Sequence, residues 1–312
     1  MTSALAPTGL AIAVPCRNCA QWIGACLDSV LAQDFAQWRL LVADDASDDG
    51  TSEAVAPYLD DPRITYRRLP ERGWLMGNTW DALSRLAPGP AEVVTILDGD
   101  DTLLPGALTT VMQKHSQGYD VVWTDMEIEG ATGSTGRALI PGVPVRSQLW
   151  CLSQLRTFKG YLLAGLDPRM LRDAQGQFCR AAGDLALYFP LIELAGAAKT
   201  AFIPRKLYRY RVHGACNFQV LRAEQLDNNR RLRATSPLAP QTVFFDFEEQ
   251  VREIEKLRLR EFGEAVRARH PRPFSIRVRH IIAPGETDSW RAYHGLWIAQ
   301  GVYLEGWIED EA

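Results

Sequence analysis

The chain has 312 residues, of which 46% are hydrophobic and 23% charged, with a formal net charge of −4. Such proportions suit one large or two modest globular domains and exclude disordered, collagen-like and fibrous classes. The acidic balance gives no overall field for nucleic acid, and no apolar run reaches the roughly 20 residues that span a bilayer.

Six cysteines (Cys16, Cys19, Cys26, Cys151, Cys179 and Cys216) are too sparse for a disulfide framework, and residues 1–15 carry neither a basic leader nor a small-residue cleavage site. The expectation is a cytoplasmic chain with reduced thiols, without an integral membrane segment. Of the 34 basic residues, 29 are Arg, a side chain suited to bidentate phosphate contacts.

In chain order, residues 9–14 form an apolar run ending at Pro15, which predicts a buried strand. Asn18 is expected to cap a helix whose stripe is Trp22, Ile23, Cys26, Leu27, Val30 and Leu31. Residues 40–43 predict a second strand, broken by the polar turn 44–50. A short helix, a strand over 64–67 and a helix over 77–86 follow. Residues 92–97 read as the next strand, 105–117 as a helix opened by Pro105, and 119–123 as a further strand. This alternation predicts a mostly parallel, doubly wound sheet flanked by helices, with its site at the strands' C-terminal ends.

Beyond Arg146 the pattern predicts helices over 149–163 and 184–194 and strands over 198–203 and 207–212. A polar, Pro-containing stretch over 233–241 reads as a linker. It divides a first domain, residues 1–235, from an extension over 240–312. That extension holds an amphipathic helix over 244–269 and β-like runs at 276–282 and 296–304.

Chemistry concentrates in Asp98-Gly99-Asp100-Asp101 at the end of a buried strand. Three carboxylates in four positions repel one another and lose solvation, which favours a cation partner, and carboxylate oxygens suit Mg²⁺ or Mn²⁺ completed by a diphosphate. Alone, the tetrad also fits a solvated acidic turn. A second acidic turn, Asp44-Asp45-Ala46-Ser47-Asp48-Asp49-Gly50-Thr51, also ends an apolar strand, and neighbouring parallel strand ends converge on one crevice. Its first Asp can accept a hydrogen bond from a base or a ribose, while its later residues shape the turn.

Val14-Pro15-x-x-Asn18, the Asp44–Thr51 turn and Asp98-Gly99-Asp100-Asp101, in this order, resemble family 2 glycosyltransferases. The likeness covers residues 9–212 and implies a GT-A, Rossmann-like fold. It implies inverting transfer of a sugar from a nucleoside diphosphate, most often a UDP-sugar, to an acceptor hydroxyl with Mn²⁺ or Mg²⁺. By position, Pro15 and Arg17 would line the nucleotide pocket and Asp44 would hold the base. Arg72 and Asn78 would reach the donor, Asp98 and Gly99 would meet ribose or metal, and Asp100 would ligate the metal. Asp101 would be metal-adjacent or face the acceptor.

Ala182-Gly183-Asp184 resembles the family's E-D motif with Gly in place of Glu, which makes Asp184 the candidate base, although an Asp there also caps a helix. The stretch Leu207 to Gly214 resembles the family's closing strand. His213 there is a candidate metal ligand or a structural residue, and Arg209 or Arg211 would neutralise developing charge.

Three further readings rest on the residues alone. Cys16-x-x-Cys19 lacks a second ligand pair, so packing is its expected role. Trp74 is core or a stacking platform for a base or sugar. The basic excess over 205–233 is a lid or a solvated surface. Expected partners are a nucleotide-sugar, a glycan, lipid-linked or protein acceptor, and a second copy through the C-terminal helix, with the chain itself cytoplasmic or peripheral to the inner face of a membrane. The alternatives are a catalytically silent nucleotide- or glycan-binding module and a sugar nucleotidyltransferase, although the latter's Gly-rich opening loop is missing.

Overall fold

The structure is a computed structural model that describes residues 6–130, 136–148, 150–214 and 220–238, and the backbone of 274–278, 292–299 and 302–310. Residues 6–241 make one compact unit, and residues 242–312 are grouped with 1–5 in another.

The first unit is built on eight strands: β1 (Leu10–Cys16), β2 (Trp38–Asp44), β3 (Ile64–Arg68), β4 (Val93–Ile96), β5 (Thr102–Leu103), β6 (Val121–Ile128), β7 (Arg156–Lys159) and β8 (Thr200–Tyr210). Their order is β3-β2-β1-β4-β7-β6-β8-β5. The β3-β2-β1-β4 half is parallel throughout. β7 enters antiparallel between β4 and β6, and β8 returns to run parallel to β6, so the sheet as a whole is mixed.

The helices are α1 (Ile23–Leu31), α2 (Thr51–Val55), α3 (Trp74–Leu86), α4 (Ala107–Ser116), α5 (Gly183–Ala195) and α6 (Arg222–Ala234). Strand alternation sends Leu10, Ile12 and Val14 into one core cluster with Ile23, Cys26, Leu27 and Val30 of α1 and Leu108 and Val111 of α4. Each such side chain contributes about 1.5–3 kcal/mol by leaving water. The intervening Ala11 and Ala13 are small, and α3 packs against β1 and β2.

Several predicted elements differ. Of the helix expected over 149–163, none forms among the described residues 150–163: Arg156–Lys159 is strand β7 and Gly160–Gly165 a 3-10 turn. An apolar run buried on both sides carries no period that separates a helix from a central strand, and the slot between β4 and β6 takes it as a strand. The two strands expected over 198–212 are one, β8, whose register against β6 shifts around Asp125. α6 continues through Ala234, into the expected linker.

Asn18 does not cap α1. At φ 52° it bonds the second acidic turn instead, with its Nδ2 donating to Asp48 Oδ1 and its Oδ1 accepting from the Asp48 N–H.

In the second unit, β9 (Phe274–Val278), β10 (Ala292–Ala299) and β11 (Val302–Asp310) form an antiparallel sheet in the order β10-β11-β9. The helix expected over 244–269, and with it the dimer contact, lies outside the described residues. None of the described helices is long and apolar enough to cross a membrane.

Candidate active site

Parallel pairing brings three loops to one edge of the sheet. β1 ends with Cys16 opposite Asp44 of β2, and the Asp45 N–H donates to the Cys16 carbonyl at 2.9 Å. Past β4, the Gly99 N–H donates to the Pro15 carbonyl at 3.1 Å, which ties the tetrad turn to β1. β1 therefore lies between the two acidic turns, at the switch point where open α/β sheets bind ligands. A cleft of about 370 Å³ opens there, lined among others by Pro15, Arg17, Asp45, Arg72, Asp100 and His213.

Pro15, Arg17, Arg72, Asn78, Asp98, Asp100 and His213 are thus brought together around one cleft. Asp44 is not. It is fully buried, its Oδ1 accepting from the Ser47 N–H at 2.8 Å and its Oδ2 from the Tyr66 hydroxyl at 2.5 Å, so it shapes the turn. Its neighbour Asp45 lines the cleft in its stead. Asp45 Oδ1 accepts from the Gly73 N–H, and burial raises its pKa against the opposing pull of Gly73, Arg72 and Arg17.

Gly99 is also absent from the lining. A Cβ there would lie 2.6 Å from the Cys16 Cβ, so this glycine serves close packing of the turn on β1. Arg17 spans the first two loops, its Nη1 donating to the Asp45 and Ala46 carbonyls at 2.7 Å each. Asn78 Nδ2 donates to the Ala43 carbonyl, and its buried Oδ1 has no hydrogen-bond partner among the described residues.

At the other end, Asp100 Oδ2 and His213 Nε2 are 2.8 Å apart, and the imidazole is stacked on Trp22 with centroids 4.3 Å apart. Burial, and then the charge of Asp100, push Asp98 up to about 7, opposed by Arg156 and reinforced by Asp184. Asp101 faces inward, accepting from the Tyr208 hydroxyl and the Arg211 N–H at 2.7 Å each, and burial with its two acidic neighbours lifts it to about 9.

Arg211 also donates to the Asp100 carbonyl, while Arg209 pairs with exposed Glu127, so Arg211 fixes the acidic turn and Arg209 faces away. Asp184, in the first turn of α5, is outside the cleft lining and is held by Arg156 Nη1 at 3.3 Å. Arg156 Nε donates to Gln154, and Gln154 Nε2 donates to Asp98, so a chain of side chains joins the two carboxylates.

Three features escape the sequence reading. Trp22 belongs to the cleft as well as to the α1 stripe, because the imidazole that it supports arrives from β8, far along the chain. Asp45 is separable from Asp44 only once Asp44 is known to be the last strand residue. Trp74 has no free face, since Arg72 and Arg180 guanidinium carbons lie 3.5 and 3.7 Å from its ring centroid. Two groups that close cannot share one face, so the indole offers no platform to a base or sugar. The described cysteines are buried in the interior and are not disulfide-bonded to one another.

The family model described as Glycosyl transferase family 2 matches residues 11–150, from β1 past β6 and across both acidic turns. The GalNAc(5)-diNAcBac-PP-undecaprenol beta-1,3-glucosyltransferase of Campylobacter jejuni is 36% identical over 121 residues, 38% of this chain and 38% of that protein. The match thus spans well under two-thirds of that relative. Among solved structures, S. aureus TarS 1–349 in complex with UDP-GlcNAc aligns with a TM-score of 0.53 at 18% identity, covering 67% of this chain and 60% of that one. Mannosyltransferase PcManGT from Pyrobaculum calidifontis, in complex with GDP-Man and Mn²⁺, aligns at 0.52 with 19% identity over 76% and 68%. At such identities the likeness is one of fold, the GT-A arrangement of a mixed sheet flanked by helices. With both acidic turns inside the matched segment and a sheet of the same type around it, residues 11–150 of the chain match glycosyl transferase family 2.

Proposed function

We propose that the protein is an inverting glycosyltransferase that moves a sugar from a nucleoside diphosphate, a UDP-sugar in first place, to an acceptor hydroxyl. One observation carries this reading: the Pro15–Asn18 loop, Asp45, Asp98 and Asp100 converge on a single cleft, and Asp184 is linked to its floor through Arg156 and Gln154. The relatives' donors, UDP-GlcNAc for TarS and GDP-Man for PcManGT, support the donor class.

The acidic end suits a hard divalent cation. Among the described residues no three His, Cys, Asp or Glu side chains form a closed cage, so the protein offers chiefly the Asp100–His213 pair with Asp98 nearby. Few protein donors, completed by substrate phosphates and water, is the usual manner of holding Mg²⁺. The raised Asp98 carboxyl, with Arg156 as its chief opposing charge, fits a centre lacking positive charge. Mn²⁺ or Mg²⁺ bound there would stabilise the diphosphate leaving group as a Lewis acid.

The chain's own residues do the rest. Asp45 accepts a base N–H, Arg17 keeps the two loops in register, and Trp22 holds the His213 ring in place. Asp184 accepts the acceptor's hydroxyl proton as that oxygen attacks the sugar's anomeric carbon from the face opposite the diphosphate, which inverts the centre in one displacement. Arg156 keeps the Asp184 carboxylate in position.

Calorimetric titration of UDP and GDP with and without Mn²⁺ tests the reading, and metal-dependent binding is the expected result. Asp184→Asn is expected to lower donor turnover at least a hundredfold with nucleotide affinity within twofold of the parent, in line with removal of a general base. Absence of nucleotide binding, or an active Asp184→Asn variant, overturns it.

A further inference from the structure

Arg72 and Arg180 present an unusual arrangement. Their guanidinium groups lie on the two faces of Trp74, yet among the described residues neither makes a hydrogen bond. The nearest carboxylate oxygens are outside hydrogen-bond range, Asp45 Oδ2 at 3.9 Å from Arg72 Nε and Glu224 Oε2 at 3.6 Å from Arg180 Nε. Arg180 Nε is buried without an acceptor, a state that costs about 1–3 kcal/mol. Trp74 itself has φ 62°, a left-handed backbone that a bulky residue adopts at a cost of about 1–3 kcal/mol. A strained tryptophan thus stacks two guanidinium groups that are held only in long ion pairs, to Asp45 and Glu224, and make no hydrogen bond among the described residues. Stacked, weakly hydrated guanidinium groups whose N–H donors make no hydrogen bond are receptors for phosphate oxygens.

The position of this stack decides which phosphate it serves. The Asp100–His213 pair, which suits the donor's diphosphate, lies at the ends of β4 and β8, whereas Arg72 and Trp74 follow β3 on the β2 side of β1. β2 and β4 flank β1, so their ends are about 10 Å apart. Arg180 precedes Asp184 by four residues, which keeps their Cα atoms within about 14 Å. The stack therefore borders the cleft near the candidate base and away from the Asp100–His213 pair that suits the diphosphate.

We propose that Arg72 and Arg180, splayed on Trp74, bind a phosphate group carried by the acceptor, so that the accepted hydroxyl belongs to a phosphorylated molecule, soluble or lipid-linked. The inference rests on the glycosyltransferase reading for the word acceptor, but the phosphate site stands on its own geometry.

The test uses the full chain, saturated with UDP and Mn²⁺, and titrates glucose 1-phosphate, farnesyl phosphate and, as a neutral control, glucose. Both phosphates are expected to bind the nucleotide-loaded protein and glucose to bind at least tenfold more weakly. Farnesyl phosphate binding tenfold more tightly than glucose 1-phosphate assigns a lipid-linked acceptor, and the reverse order or parity assigns a soluble one. Arg180→Gln is expected to weaken both phosphates at least tenfold with UDP affinity within twofold of the parent, while Arg180→Lys recovers part of the loss. Trp74→Ala, which removes the platform and leaves both cations, is expected to weaken them similarly. Phosphates that compete with UDP, or an Arg180→Gln variant that binds them unchanged, overturn the proposal. Failure of UDP itself to bind counts against the transferase reading, and phosphate titrations repeated without nucleotide still measure the site.

Discussion

Two adjacent aspartates at the end of β2 differ in everything but type. Asp44 is the last strand residue, sealed beneath its turn with the Ser47 N–H and the Tyr66 hydroxyl on its two oxygens. Hydrogen bonds to a buried charge contribute roughly 1.5–3 kcal/mol each. Asp44→Ala is therefore expected to lower unfolding free energy by about 2–4 kcal/mol in urea titrations. Asp45→Asn keeps the oxygen that accepts from Gly73, removes the negative charge and turns the other carboxylate oxygen, an acceptor, into an NH2 donor. It is expected to weaken nucleotide binding at least tenfold and to shift stability by less than about 1 kcal/mol. If Asp44→Ala proved stable and lost nucleotide affinity, with Asp45→Asn silent, the base contact would return to Asp44. The acidic doublet was legible in the sequence, but the division of labour was not, since it depends on the register that sets Asp44 opposite Cys16.

At the scale of elements, the sequence was most legible where hydrophobic period and turn chemistry agree. β1, α1, β2, β4 and α4 stand within a few residues of their expected places, because one face of each is apolar and a polar turn bounds it. β7 was illegible, since its burial comes from β4 and β6 on either side and its own residues carry no period. The contact that fixes β7 shows why. His115 of α4 places Nε2 on the Thr157 hydroxyl of β7 at 2.8 Å and Nδ1 on the Tyr119 carbonyl at 2.9 Å. Burial first, with a smaller contribution from the Lys159 charge, lowers its pKa from 6.5 to about 3 against the favourable Tyr119 carbonyl.

The unfolded chain thus binds a proton between those two values that the folded chain refuses. The stabilisation is complete above pH 6.5 and is lost as pH falls toward 3, by at most about 1.4 kcal/mol per pH unit from this group. In urea unfolding between pH 6.5 and 5, His115→Phe is expected to reduce the slope of stability against pH by about half a proton at pH 6.5, rising to about one at pH 5. An unchanged slope would show that His115 is protonated in the folded state.

For the whole molecule, the question is how much chain the chemistry needs. Every lining residue of the cleft, the Asp184–Arg156–Gln154 link and the Arg72–Trp74–Arg180 stack falls within residues 6–241, as does the main core cluster. That unit ties its last helix to its core through buried charge. Arg146 pairs with Glu193 of α5 at 2.6 Å and also donates to the Leu232 carbonyl of α6, while Leu238 N–H reaches Glu193 Oε2 at 3.0 Å. A buried pair of this kind is strongly destabilising when one partner is removed, by about 3–5 kcal/mol. The chain cannot be cut before these contacts without exposing them, whereas a cut after Gln241 leaves all of them in place.

A fragment of residues 1–241 is therefore expected to unfold in one cooperative transition and to bind UDP–Mn²⁺ with the affinity of the full chain, within twofold. A fragment ending at residue 221, which lacks α6, is expected to lose cooperative unfolding because Arg146 and Glu193 are then opened to water. Calorimetric scans and nucleotide titrations of both fragments decide the matter. Loss of nucleotide binding in the longer fragment would mean that residues beyond 241 complete the site, and the boundary of the catalytic unit would have to move toward the C-terminus.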